Sequence, residues 1–168
     1  MQQQQQQQLQ QKLVRMQTPS QVSQLCTKSF DLEAFRSEVK QALRELRHSS
    51  DENGAATRLA QQPMPPTEYQ AAELSAMLAE IAQESVPTIR QAGFRLAVGL
   101  FSSIPGSWEP TALAAGLLEF VEQASADLLV DVPALPNILK EELLPALAAL
   151  QDKRLVPEAV RKALLLSA

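Results

Sequence analysis

The run Ser29-Phe-Asp-Leu-Glu-Ala-Phe-Arg-Ser-Glu-Val-Lys-Gln-Ala-Leu-Arg-Glu-Leu46 places Leu32, Phe35, Val39, Leu43 and Leu46 three or four residues apart. That spacing gathers apolar side chains on one face of an α-helix, and Ser29 stands in front of it as a cap. No other stretch is so clearly periodic, and the rest of the chain repeats its rhythm between punctuation marks.

Downstream, His48-Ser-Ser-Asp-Glu-Asn-Gly54 is a cluster of turn formers, and Ala55 to Gln62 suit a short second helix that Pro63-Met-Pro-Pro66 stops. So short a connection makes the two helices antiparallel. Thr67 with Gln70 resembles a capping box, and Tyr69, Ala72, Met77 and Ile81 then outline the apolar side of a third helix. After Ser85-Val-Pro87, the residues Ile89, Gly93, Leu96, Leu100 and Ile104 stripe a fourth, in which Gly93 lets a neighbouring helix approach closely. Pro105-Gly106 closes it. Ser107 or Glu109 opens a fifth helix with Trp108 at its entrance, Pro110 in its first turn, and Leu113, Leu117, Phe120, Val121 and Ala124 facing inward.

A sixth helix is expected after Asp131, with Pro133 near its first position; it carries Leu135, Ile138, Leu139, Leu143, Leu147 and Leu150, and Pro145 kinks or divides it. Pro157 starts a last helix with Val160, Ala163 and Leu164. Nowhere does sustained period-two alternation of β-branched residues argue for strands. The expected class is all-α: stacked antiparallel helical hairpins, a HEAT-like α-solenoid of about seven helices.

Upstream, residues 1–29 form a glutamine-rich lead-in, with an unbroken tract from Gln2 to Gln8, too poor in apolar surface to offset its ordering entropy. A disordered or partly helical segment is expected there. Leu9, Leu13 and Met16 nevertheless fall at helical spacing, so a transient amphipathic helix could serve as a partner segment. Residues 30–168 then make one helical domain.

The formal net charge is -4, which argues against a surface built to neutralise phosphates and favours a basic partner. Cys26 is the only cysteine and His48 the only histidine, so neither a disulfide nor a zinc site of the usual spacings can be assembled, which fits a reducing compartment. There is no run of eighteen apolar residues and no secretory pattern, so the chain reads as soluble and cytoplasmic. Glycine-rich phosphate loops are missing, His48 lies in a polar loop, and the acid pairs Glu119/Glu122 and Glu141/Glu142 read as solvated helix faces. No enzymatic role and no cofactor are expected.

The segment Ala126-Asp-Leu-Leu-Val-Asp-Val-Pro-Ala-Leu-Pro136 differs from the rest, because it sets Asp127 and Asp131 four residues apart at a helix-to-helix junction. Either Asp131 caps the sixth helix and Asp127 is a surface acid, or the two present a fixed acidic pair to a basic partner, with arginine as the natural counterpart.

Here the sequence resembles the MA-3 domain, the helical module of eukaryotic initiation factor 4 gamma scaffolds and of a translational repressor. The opening Phe35-x-x-x-Val39-x-x-x-Leu43-x-Glu45, the acidic turn at Asp51 and Ala55-Ala56-x-x-Leu59 are similar to the family's first hairpin. Gly116-Leu117-x-Glu119 followed by Asp127-Leu-x-x-Asp131-Val-Pro133 is similar to the signature joining its late helices. Ile138-Leu139-x-Glu141 with Pro145 in mid-helix resembles the initiation-scaffold branch.

The resemblance spans about Phe30 to Ala168. It implies a module of translation initiation that docks a DEAD-box RNA helicase and modulates its cycle. Asp127, Asp131 and Pro133 match the helicase-contacting positions, and Glu119 and Asp51 join them as candidate partner-binding residues. Other initiation factors are compatible partners; a membrane is not, and direct RNA binding is expected to be weak or absent. The alternatives are a repressor that holds the helicase inactive and a plain α-solenoid adaptor.

Overall fold

The computed structural model describes residues 30–49, 51–101, 108–150, 156 and 158–166. Ser29, Ile104, Pro105, Gly106, Ser107 and Pro157, the side chain of Ala163, and the whole lead-in lie outside them.

Among the described residues the chain is all-helical, in seven helices and without strands. They are α1 (Leu32–Ser49), α2 (Glu52–Ala60), α3 (Thr67–Ala82), α4 (Pro87–Gly99), a rod made of α5 (Pro110–Glu119) and α6 (Ser125–Asp131), a second rod made of α7 (Leu135–Ile138) and α8 (Leu144–Ala148), and α9 (Glu158–Leu166). Within the two rods, Phe120–Ala124 and Leu139–Leu143 are single π-helical turns.

The first helix forms as its periodicity predicts, with Phe35, Val39, Ala42 and Leu46 buried. Its cap is Asp31, whose Oδ1 accepts from the Ala34 N–H at 3.0 Å. The second helix starts at Glu52, earlier than the turn-forming residues imply, because Asp51 accepts from the Gly54 N–H at 2.9 Å and draws Asn53 and Gly54 into the first turn.

The capping box expected at α3 does not form. Pro66 holds the cap position without a side-chain bond; Gln70 is buried and donates to Pro65 O at 2.9 Å, while its own oxygen takes the Glu109 N–H at 2.8 Å. One side chain thus ties the proline-rich connection to the start of α5. Tyr69 and Ala72 turn outward, and Leu74, Met77, Leu78 and Ile81 make the buried face.

α3 and α5 make the most extensive helix contact, and Gly116 is the reason. A Cβ there would lie 2.7 Å from Ala71 O and 2.9 Å from Leu74 Cβ. Gly93 plays the smaller role expected of it, facing Ile81 and Leu43 side-chain carbons at 3.1 to 3.2 Å. Trp108 is buried at the entrance of α5, its ring 6.1 Å from that of Phe35 and 5.0 Å from that of Phe101.

Polar ties cross between helices. Arg36 of α1 grips the buried Glu73 of α3 at 2.7 Å, Arg58 of α2 spans Glu38 and Glu45 of α1, and Arg95 of α4 reaches Glu52 of α2. A longer brace begins at Arg47, whose Nε donates to Glu84 at 2.7 Å. The Glu84 carbonyl accepts from Arg90 Nη1 at 2.7 Å, and Arg90 Nε donates to Glu142 at 2.8 Å. α1, the α3–α4 corner, α4 and the second rod are joined in one line.

At that corner, burial works to raise the Glu84 carboxyl and is outweighed by the Val86 N–H, the Arg47 guanidinium and the Ser85 N–H, which together hold it below the ordinary glutamate value of 4.5. A lowered folded value means that the carboxylate stabilises the fold fully above that pH and stops doing so as pH falls through its folded value. The melting temperature of the wild type is therefore expected to fall more steeply below the ordinary glutamate range than that of Glu84→Gln. Parallel slopes for the two proteins would refute this assignment.

Candidate docking surface

α5 and α6 form one continuous rod because Phe120 and Ser125 keep right-handed helical dihedrals through the π-turn. Inside that turn the Ser125 N–H bonds to Phe120 O and its hydroxyl to Val121 O. A π-turn contains one residue more than an α-turn would over the same path, and this shifts the register of everything after it. Counted by sevens along α5, Leu113 and Phe120 lead to Asp127, and Leu117 and Ala124 lead to Asp131. The inward stripe would thus have ended on two carboxylates. Leu128, seven residues beyond the buried Val121, stays inward, while the extra residue brings Val132 to a half-buried place and leaves Asp127 and Asp131 exposed.

The predicted site residues are not all gathered in one place. Asp127 lies in the first turn of α6 and Asp131 is its last residue, four apart and hence on one face. Pro133 is exposed in the turn after α6, and Glu119 is half-buried, ahead of the π-turn. Asp51 caps α2, which packs on α1 and α4 and is not among the elements α6 packs against, so it stands apart from the others.

Three expectations about the junction are corrected. Asp131 does not cap the next helix, because Val132 leaves the helical dihedrals and Ala134 holds the cap position without a side-chain bond. The first-turn proline of α7 is Pro136 rather than Pro133. Asp127 likewise is not at a helix end, since the rod runs one more turn.

Every buried side-chain nitrogen or oxygen among the described residues has a hydrogen-bond partner. Asp127 and Asp131 are outside that network, with no bond or ion pair to any described residue. Beside them is a feature missed from sequence: Val130 is 82% exposed and Leu129 47%. At 100° per residue, Ala126, Leu129 and Val130 form an outward apolar stripe with Asp127 and Asp131 along one of its sides. The signal that could have found it is the count across the π-turn, which no local pattern announces.

No family model matches the chain, and neither a curated protein nor a solved structure does.

The other acid pair also divides. Glu141 is exposed, as a solvated face requires, whereas Glu142 is 9% exposed at its side chain and paired to an Arg90 side chain that is 10% exposed. No described helix is long and apolar enough to cross a membrane.

Proposed function

We propose that this chain is a non-enzymatic docking module of the MA-3 kind, built as a HEAT-like stack of helical hairpins, that binds a DEAD-box RNA helicase of the translation-initiation machinery and modulates its cycle. The hairpin reading is supported by α1 with α2 and α3 with α4, each pair joined by a short connection and packed together.

One observation carries the functional reading: two unengaged carboxylates on the same face of a helical rod, beside a valine that is 82% exposed. Solvation alone accounts for exposed acids, but an exposed β-branched residue beside them gains nothing from water. An apolar contact bordered by charge is what a partner interface uses, the apolar part supplying burial and the charged edge supplying orientation and choice of partner. Arginines of one helicase lobe would meet the two acids, with Pro133 stiffening the turn beside them.

The test is the affinity of a DEAD-box helicase for the full chain and for Asp127→Ala/Asp131→Ala, measured by calorimetry at fixed salt. A loss of about tenfold or more is expected, from the coupling energies of close interfacial charge pairs. Unchanged affinity in a folded double variant would remove the acidic pair from the interface. Helicase turnover with and without the module then gives the sign of the regulation.

A further inference from the structure

The apolar stripe on α6 has a candidate occupant within the same chain. Residues 1–29 carry Lys12, Arg15 and Lys28 and no acid, while the face to be covered offers Asp127 and Asp131 and no base. Charge complementarity is therefore one-sided in the required sense.

The patterns also correspond. At helical spacing Leu9, Leu13 and Met16 share a stripe, and Lys12 and Arg15 fall together on one side of it. On α6, Ala126, Leu129 and Val130 share a stripe, and the two acids fall together on one side of it. Laid face to face in the appropriate direction, apolar meets apolar and base meets acid along a single edge.

The tether is sufficient. Residues 17–29 separate this stretch from Phe30, which packs on Phe35 with ring centroids 5.9 Å apart, so the lead-in departs from the N-terminal end of α1. Thirteen residues extend to about 45 Å. Trp108, whose ring lies 6.1 Å from that of Phe35, stands at the start of the first rod, and Ala126 to Asp131 lie about 27 to 35 Å along it at the helical rise. The α6 face is therefore within reach, at an effective concentration in the millimolar range for a flexible link.

We infer that residues 9–16 dock in cis on the α6 face formed by Ala126, Asp127, Leu129, Val130 and Asp131, and compete there with a basic partner helix. The inference rests on the reading of that face as a docking surface and adds an internal competitor to it. A segment docked nine-tenths of the time weakens the apparent affinity of the external partner about tenfold, so removing or modifying the segment would release the module.

The experiment uses the full chain, isotope-labelled, as Cys26→Ser/Gln10→Cys with a nitroxide on the new cysteine. Broadening of the amide signals of Asp127–Ala134 is expected, unchanged on dilution and abolished by Asp127→Lys/Asp131→Lys. No broadening, or broadening that survives the charge reversal, overturns the inference. Broadening seen only when label and isotope are on different molecules also overturns it, in favour of a second copy as occupant.

A helicase titration separates this inference from the reading beneath it. Leu9→Ser/Leu13→Ser/Met16→Ser is expected to bind about tenfold tighter than the wild type. If both bind equally, the internal competitor is refuted and the docking surface stands. If neither binds, the helicase reading fails while the broadening still decides the internal contact.

Discussion

Truncating Glu142 to alanine is expected to lower the folding free energy by about 3–5 kcal/mol, because it strands a charged guanidinium inside the protein. Arg90 is a residue of the buried face of α4, 9% exposed, and among the described residues its charge is met only by Glu142 and by the Glu84 carbonyl. With the carboxylate gone, the carbonyl cannot neutralise it and the closely packed surroundings admit little water. The replacement Arg90→Leu/Glu142→Leu is expected to cost far less than Glu142→Ala alone, since a buried pair exchanged for apolar groups of similar volume is often neutral. Urea denaturation of the three proteins gives the comparison. A single variant no less stable than the double would show that the pair is hydrated in solution.

Gly116→Val is expected to destabilise by about 3 kcal/mol, the upper part of the range for overpacked cores. Adding a side chain to a helical glycine ordinarily gains up to about 1 kcal/mol of propensity, so the expected sign runs against the local preference. The reason is the obstacle. At Gly93 the neighbours are the ends of Ile81 and Leu43, which can rotate, but at Gly116 the nearest atom is the Ala71 carbonyl, fixed by the hydrogen bonding of α3. Relief requires α5 to move away from α3 along their whole contact. Melting curves for Gly116→Val and Gly93→Ala should differ clearly, with the second near the wild type; similar values would mean that the α3–α5 spacing is adjustable.

The helical class is legible in the sequence because Phe35, Val39 and Leu46, and later Leu113 and Leu117, repeat at the helical period and are buried. Proline positions are partly readable: Pro110 opens α5 as expected, Pro87 opens α4 where the sequence marks only the end of the helix before it, and the first-turn place expected for Pro133 falls to Pro136. Errors cluster where polar side chains choose between partners. Gln70 suits a capping box by sequence, yet bonds to Pro65 and Glu109 because the fold brings those backbone groups beside it. Tyr69 reads as a core residue on hydrophobicity alone and is 49% exposed.

At the candidate site, the acids and their spacing are visible in the sequence, but their direction is not. Neither Leu129 nor Val130 looks different from the buried Leu128, because a leucine or valine carries no mark of which way a helix turns it. Glu142 is indistinguishable from Glu141 for the same reason; only the placement of Arg90, 52 residues earlier, separates them.

The π-turn at Phe120–Ala124 makes the α6 face a matter of chain length as much as of side-chain type. Straightening that turn to plain α register with no residue lost would swing the downstream residues by about 100°, carrying Asp127 and Asp131 toward the core with every side chain unchanged. Deleting one residue along with the turn would leave the present facing intact, because the turn holds one residue more over the same path. In descent, a relative one residue shorter between Leu117 and Leu128 would present the same face from an unbroken α-helix.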